Sequence, residues 1–174
     1  MAIIQSEIKF YLTGGAENSN VNASLGGVIS STEVTSAQLH NLFDKVTGDE
    51  SSAGDIEYRA IAVKNTNATL TWENVKAYIS ANTAGGDDIS IGIETPSSNA
   101  IQVIGNESTA PTAIDFSAPA DRANGIACTG EGDAVGEIAA GNWVGIWVKR
   151  NVPAETSAVD NNSATIAVSG DTAA

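Results

Sequence analysis

Apolar and polar residues alternate along much of the chain from residue 56 onward. Ile89, Ile91 and Ile93, for example, are separated by polar or glycine residues. The same alternation occurs in segments 57–64, 143–150 and 163–169. It is typical of strands with one buried face, and clusters of Gly, Asn, Ser and Pro separate the segments. We predict an all-β fold, a single antiparallel β-sandwich over residues 56–174 of immunoglobulin-like or jelly-roll topology.

The segment 69–79 predicts a long strand whose alternation changes parity once. Leu70 and Trp72 share one parity, whereas the later apolar residues of the segment fall on the other. A β-bulge near residues 73–74 would return all of them to one face. The polar stretch 64–68 before this strand predicts the connection of a hairpin between the strands on either side.

The first 55 residues lack this regularity and predict an extended N-terminal arm. Residues 6–12 alternate as one short strand, whereas residues 13–31 contain four glycines and three asparagines and show little periodicity. We expect such an arm to pack on its own sandwich or on a neighbouring subunit. Deleting residues 1–31 is then expected to weaken attachment to a partner far more than folding.

A short amphipathic helix is predicted within the arm, over residues 35–46. Four apolar residues follow the i, i+3, i+4, i+7 spacing of one helix face. These residues are Leu39, Leu42, Phe43 and Val46. Gly48 would then end the helix.

Charge excludes several classes of function. The chain has 21 acidic and 8 basic residues, for a net charge of -13. A surface this acidic repels phosphate backbones, so we expect no nucleic-acid partner. No stretch approaches 18 consecutive apolar residues, so we expect no membrane partner. Aromatic residues make up only 5% of the chain, and we expect contacts within a homo-oligomer to supply part of its stability.

Residues that carry catalysis or bind metals are few. The single histidine, His40, and the single cysteine, Cys128, lie far apart, and the apolar neighbours of Cys128 predict a buried, unreactive thiol. Acidic residues between positions 44 and 57 offer oxygen ligands for calcium, yet their spacing does not match a calcium-binding loop. We expect no catalytic residues, no metal site, no cofactor and no enzymatic activity. We expect the tryptophans, Trp72, Trp143 and Trp147, to pack on the sheets.

A resemblance to known proteins is carried by stretches that span most of the chain. These are residues 10–15 (FYLTGG), 22–27 (NASLGG), 42–44 (LFD), 46–50 (VTGDE), 54–59 (GDIEYR), 63–66 (VKNT) and 147–150 (WVKR). Together they resemble small structural proteins of tailed-bacteriophage and prophage particles. The resemblance implies a non-enzymatic virion component, made in the bacterial host cytoplasm, and brings no catalytic residues.

The implied role is that of a capsid decoration (cement) protein on the outer head surface. Its partners would be the major capsid protein or neighbouring virion subunits, and it would form a homo-oligomer, with a trimer as one arrangement. Two alternatives stay open: a tail or baseplate component, and a receptor- or glycan-binding β-sandwich module. Apolar residues of the arm are the expected partner contacts. They are Phe10, Tyr11, Leu25, Leu42 and Phe43.

Overall fold

The computed structural model describes residues 2–83, 85–157, 159 and 162–172. They form antiparallel sheets and one short α-helix, which confirms the predicted all-β sandwich class. The strands are β1 (Ile8–Thr13), β2 (Gly26–Gly27), β3 (Ile29–Glu33), β4 (Asp55–Asn65), β5 (Trp72–Asn82), β6 (Asp88–Glu94), β7 (Ile101–Val103), β8 (Ile126–Ala127), β9 (Trp143–Val152) and β10 (Ala164–Thr172). Helix α1 covers Gly48–Ala53, and short 3₁₀ helices cover Gln5–Glu7 and Val21–Ala23.

Two sheets pack against each other to form the sandwich. The larger sheet has the strand order β3-β1-β4-β9-β6, and the smaller has the order β10-β5-β8. The main hydrophobic core lies between them and contains Ile61 of β4, Val75 of β5 and Ile146 of β9. Strands β2 and β7 form a separate two-stranded sheet, which we call the ribbon.

The larger sheet is covered on its other face as well. Tyr58 and Ala62 of β4 form a second core there with Trp143 and Trp147 of β9, against residues of the ribbon and its flanking loops. Alternation predicts one buried face for each strand, and this expectation is wrong for β4 and β9. Gly145 of β9 lies on this face, and a Cβ there would be 2.8 Å from the Ile101 side chain of β7, so its lack of a side chain lets the ribbon approach closely. All three tryptophans pack on the sheets, as predicted, and all three are buried, with Trp72 in the main core.

The predicted hairpin at residues 64–68 is wrong, because β4 and β5 belong to different sheets. Strand β4 pairs with β1 and β9, whereas β5 pairs with β10 and β8. The buried Asn65 amide nitrogen donates to the Leu70 carbonyl oxygen at 2.8 Å and to that of Ile138 at 3.0 Å. These side-chain bonds stabilise a chain reversal that leads from one sheet to the other.

The predicted β-bulge in β5 is confirmed. Ser169 pairs with Lys76 and Asp171 with Glu73, so β5 has one residue more than β10 between these pairs. Asn74, within the extra length, takes a positive φ of 51°. The bulge brings the apolar residues of β5 to the core face. The buried ones are Trp72, Val75, Ala77 and Ile79.

The N-terminal segment packs on the chain's own sandwich, one of the two expected destinations. Strand β1 lies between β3 and β4, and it pairs with β4 from Ile8↔Asn65 to Leu12↔Ile61. The segment predicted as an arm therefore supplies an interior strand of the larger sheet.

The predicted helix over residues 35–46 is wrong, and this stretch consists of turns and bends. Ala37 and His40 take positive φ values of 59° and 57°, which a right-handed helix does not allow. Helix α1 begins instead after Thr47, where the Glu50 carboxylate accepts a bond from the Thr47 backbone nitrogen at 2.6 Å. This capping box starts the helix two residues after the apolar stripe, so that Gly48, predicted to end a helix, begins one.

Candidate functional site

An open, uncharged groove lies on the ribbon. It has a volume of about 410 Å³ and is lined by residues of two loops and of the ribbon itself. The lining residues are Gly14, Gly15, Ala23, Leu25, Gly26, Gly27, Val28, Val103 and Ile104. We call this surface the ribbon groove. Its lining carries no ionisable side chain, although the chain as a whole has a net charge of -13.

Glycine is required where the ribbon meets the larger sheet. Gly26 pairs with Val103 across the ribbon and has a φ of 94°, a value that side chains with a Cβ rarely adopt. A Cβ at this position would overlap the backbone oxygen of Gln102 and lie 3.0 Å from the Trp147 ring. The glycine thus lets the ribbon pack directly on the tryptophan.

A buried hydroxyl pair anchors the β2 side of the groove. The Thr13 backbone nitrogen donates to Ser24 Oγ at 2.8 Å, and Ser24 Oγ donates to the Ala60 carbonyl oxygen of β4 at 2.6 Å. The Gly26 nitrogen donates to Thr13 Oγ1 at 3.1 Å. Thr13 and Ser24 are fully buried, so the start of the ribbon is held against the sheet by satisfied polar groups.

A carboxylate on β6 anchors the β7 side. Glu94 accepts hydrogen bonds from the Gln102 backbone nitrogen at 2.9 Å, from the Gln102 amide at 3.0 Å and from the Trp147 indole nitrogen at 2.6 Å. The Gln102 side chain in turn accepts from the Thr112 nitrogen at 2.6 Å. Both strands of the ribbon are therefore held in place by hydrogen bonds within the chain.

Two valines make the rim of the groove apolar and accessible. Val103 is 71% exposed and Val28 is 39% exposed. Residues 18–32 and 95–106, which contain the ribbon and its connections, include no charged residue. These residues give the chain an exposed apolar surface that carries no charge, the kind of surface that can mark an interaction site.

Two buried arginines, Arg59 and Arg150, lie at one end of the sandwich, each bound to a carboxylate. Arg150 Nε donates to a Glu57 carboxylate oxygen at 2.6 Å, and its Nη1 donates to the Asp44 carbonyl oxygen at 2.7 Å. Arg59 pairs with the Glu107 carboxylate. The Phe43 ring lies 4.8 Å from the Arg150 guanidinium and 5.7 Å from that of Arg59. These contacts hold the loop before α1 against the sandwich.

Burial raises the pKa of the Glu57 carboxyl, and the adjacent Arg150 and Arg59 guanidinium groups oppose that rise. Glu57 and Arg150 are direct partners across β4 and β9, and both are buried. The Glu57–Arg150 ion pair is therefore structural, because each charge compensates the other where water is excluded.

The structure separates the five predicted contact residues. Phe10, Leu42 and Phe43 pack against the main core, whereas Tyr11 and Leu25 pack against the second. Leu25 also lines the ribbon groove. Sequence reasoning missed the exposed valines of the rim, because β2 and β7 pair across a long stretch of intervening chain.

The buried arginines were also missed, although the sequence contains a signal for them. Arg59 has the same strand parity as Ile61, and Arg150 the same parity as Val148 and Ile146. Charges that occupy core-facing positions of a strand indicate a buried ion pair.

The residues considered for chemistry lie apart from the groove. His40 is exposed in the loop before α1, and Cys128 is buried in the main core, as predicted. Across residues 2–83, 85–157, 159 and 162–172, no three His, Cys, Asp or Glu side chains are grouped to hold a metal ion. No helix in the same residues has the length and apolar character to span a bilayer.

Cys128 is expected to resist thiol reagents in the folded protein. Burial raises the pKa of its thiol to about 12, so the reactive thiolate is scarce at pH 8. Labelling with a chromogenic disulfide at pH 8 should be at least 100-fold slower in buffer than in 8 M urea. Fast stoichiometric labelling of the native protein would contradict a buried thiol.

The chain matches no family model, and searches among curated proteins and solved structures found no protein similar to it.

Proposed function

We propose that the protein is a non-enzymatic structural component of a tailed-phage particle, a decoration protein that binds the outer surface of the head. The observation that carries this proposal is the ribbon groove, a pre-formed apolar surface on a strongly acidic sandwich. The partner is the major capsid protein, which contacts Val28 and Val103. The acidic remainder of the surface faces solvent and keeps the protein soluble.

The stretches that resemble phage structural proteins motivate this role, and several of them meet in space. Asn22 and Glu57 belong to two such stretches, Phe43 to a third and Arg150 to a fourth. The Arg59 guanidinium donates to Asn22 Oδ1 at 3.3 Å, and Arg150 binds Glu57 and lies over Phe43. The resemblance thus concerns residues that hold the loops in place around one end of the sandwich.

Charge favours an outward-facing position in the particle. Packaged DNA carries a dense negative charge, and a protein with a net charge of -13 is repelled from it. Contact with the head through an uncharged groove avoids the cost of burying unpaired carboxylates. A tail location would use the same groove, and the site of binding on the particle distinguishes the two.

Val103→Asp is expected to weaken attachment at least about tenfold without unfolding the protein. Val103 is 71% exposed, so the new carboxylate is solvated in the free protein and becomes buried only in the complex. The affinity for heads that lack the protein should fall at least about tenfold, or 1.4 kcal/mol. Co-sedimentation with purified heads, over a range of protein concentrations, measures this change.

Val135→Asp is the matched control. Val135 is 87% exposed in the loop between β8 and β9, outside the groove, and its substitution changes the net charge equally. The control should bind heads as the unmodified protein does. Equal binding by Val103→Asp and Val135→Asp would exclude the groove as the contact.

A further inference from the structure

The outer edge of the smaller sheet is formed by a long strand. β10 has nine residues and pairs with β5 from Ala164↔Asn82 to Thr172↔Trp72. It is the last strand in the order β10-β5-β8, and among the described residues no second strand pairs with it. Every second residue of an edge strand presents its backbone N–H and C=O groups outward.

From Ala164 to Ser169 this edge lacks the features that normally prevent strand addition. At its far end, the Ile3 backbone nitrogen donates to Thr172 Oγ1 at 3.0 Å. Both register irregularities between β10 and β5 place the extra residue in β5, so β10 itself continues as a regular strand. Its sequence, ATIAVSGDT, contains no proline and no lysine. The one charged residue, Asp171, lies near its end and forms an ion pair with Arg122 at 2.8 Å.

Burial is incomplete along the same edge. Ile166 and Val168 pack against the main core but remain only partly buried. Val75 and Ala77 on the adjacent β5 are fully buried. An additional strand beside β10 would cover the apolar side chains that the monomer leaves at the rim of its core.

Two other edges are capped within the chain. On β6, Ile91 and Ser117 exchange backbone hydrogen bonds of 2.8 and 3.0 Å. On β3, the Ser31 nitrogen donates to the Ala16 carbonyl oxygen at 3.0 Å. Of these three edges, β10 is the one whose backbone forms no hydrogen bond to a backbone group outside β5 among the described residues.

We propose that β10 pairs antiparallel with β10 of a second copy about a two-fold axis. Such pairing joins two three-stranded sheets into one continuous sheet of six. With Val168 opposite its symmetry mate, all nine residues of each strand are paired, and Asp171 lies opposite Thr165 of the second copy. This contact is separate from the ribbon groove and does not depend on the proposed attachment to a head.

Charge favours a second copy in the antiparallel orientation as the occupant. The two Asp171 positions are then six residues apart along the paired strands, about 20 Å, which exceeds the screening length of about 8 Å at physiological salt. A parallel strand of the same sequence would place the two carboxylates side by side. A basic partner would find only one carboxylate along this edge, and Arg122 already neutralises it.

The test is the mass of the full-length protein alone, by sedimentation over 1–500 μM. We expect a monomer–dimer equilibrium that shifts towards the dimer at higher salt, since two chains of net charge -13 repel each other. Ala167→Lys places a cation on the edge strand and should raise the dimer Kd at least tenfold. Val135→Lys adds the same charge at an 87% exposed position in the loop between β8 and β9, away from β10, and should leave Kd within twofold.

A cysteine trap tests the register and guards against a misfolded variant. In Val168→Cys the two sulfurs lie opposite each other on the axis, within the span of a disulfide, and Cys128 is buried and does not compete. Mild oxidation should then give a covalent dimer with the melting temperature of the folded protein. A protein that is monomeric at 500 μM and gives no covalent dimer would overturn the proposal, as would an oligomer that Ala167→Lys leaves unchanged.

Discussion

Deletion of residues 1–31 is expected to produce a chain that does not fold cooperatively. The deletion removes all of β1, which lies between β3 and β4, and leaves only two residues of β3. It uncovers the edge of β4 from Ile61 to Asn65 and removes Leu12, which is 2% exposed. Each buried large apolar side chain contributes about 1.5–3 kcal/mol, against a total stability of about 5–15 kcal/mol for a typical domain.

Circular dichroism during heating measures this outcome. A control that lacks only residues 1–2 keeps Ile3 and all of β1, and it should melt as a single cooperative transition. The 1–31 deletion should show no such transition. A truncated protein that melts cooperatively within a few degrees of the control would mean that the segment is a detachable arm, as its sequence first indicates.

Glu57→Gln is expected to lower the free energy of unfolding by about 3 kcal/mol or more. The Glu57 carboxylate accepts two hydrogen bonds from the Arg150 guanidinium, and both side chains are nearly inaccessible to water. The neutral amide leaves the Arg150 charge buried without its main counterion. Urea denaturation, monitored by tryptophan fluorescence, gives the change directly.

Glu33→Gln supplies the comparison for a solvent-exposed ion pair. Glu33 bonds Lys9 at 3.1 Å, with the two side chains 52% and 35% exposed. Such pairs contribute about 1 kcal/mol at most. If both variants lost the same small amount of stability, the buried Glu57–Arg150 ion pair would contribute no more to stability than the exposed one.

Local pattern predicted the strands and one irregularity within them. The alternation at Ile89, Ile91 and Ile93 matches β6, and the parity change after Trp72 matches the bulge in β5. Both features depend on which face of a single strand is apolar. That information is present in a few neighbouring residues.

Features that depend on distant contacts were not predicted. The polar stretch after β4 looks like a hairpin turn, but Asn65 bonds Ile138, 73 residues away, and the chain changes sheets. The apolar stripe containing Leu39 suggested a helix, yet Leu39 is 68% exposed and the capping box at Thr47 sets the helix start. Tertiary context overrides a helical periodicity this short.

The candidate site was harder to predict than the fold. The groove forms because Gly26 pairs with Val103. These residues are far apart in the sequence, so no local pattern predicts their pairing. Only Leu25, among the predicted contact residues, lines it. The second covered face of β4 did have a signal, since Tyr58 and Ala62 are apolar on the face opposite Ile61.

Cryo-electron microscopy of phage particles that lack this protein, before and after its addition, tests the proposed function most directly. The predicted result is saturable new density on the outer surface of the head, with the ribbon groove against the capsid shell. Density confined to the tail, or no density at saturating protein, would contradict it.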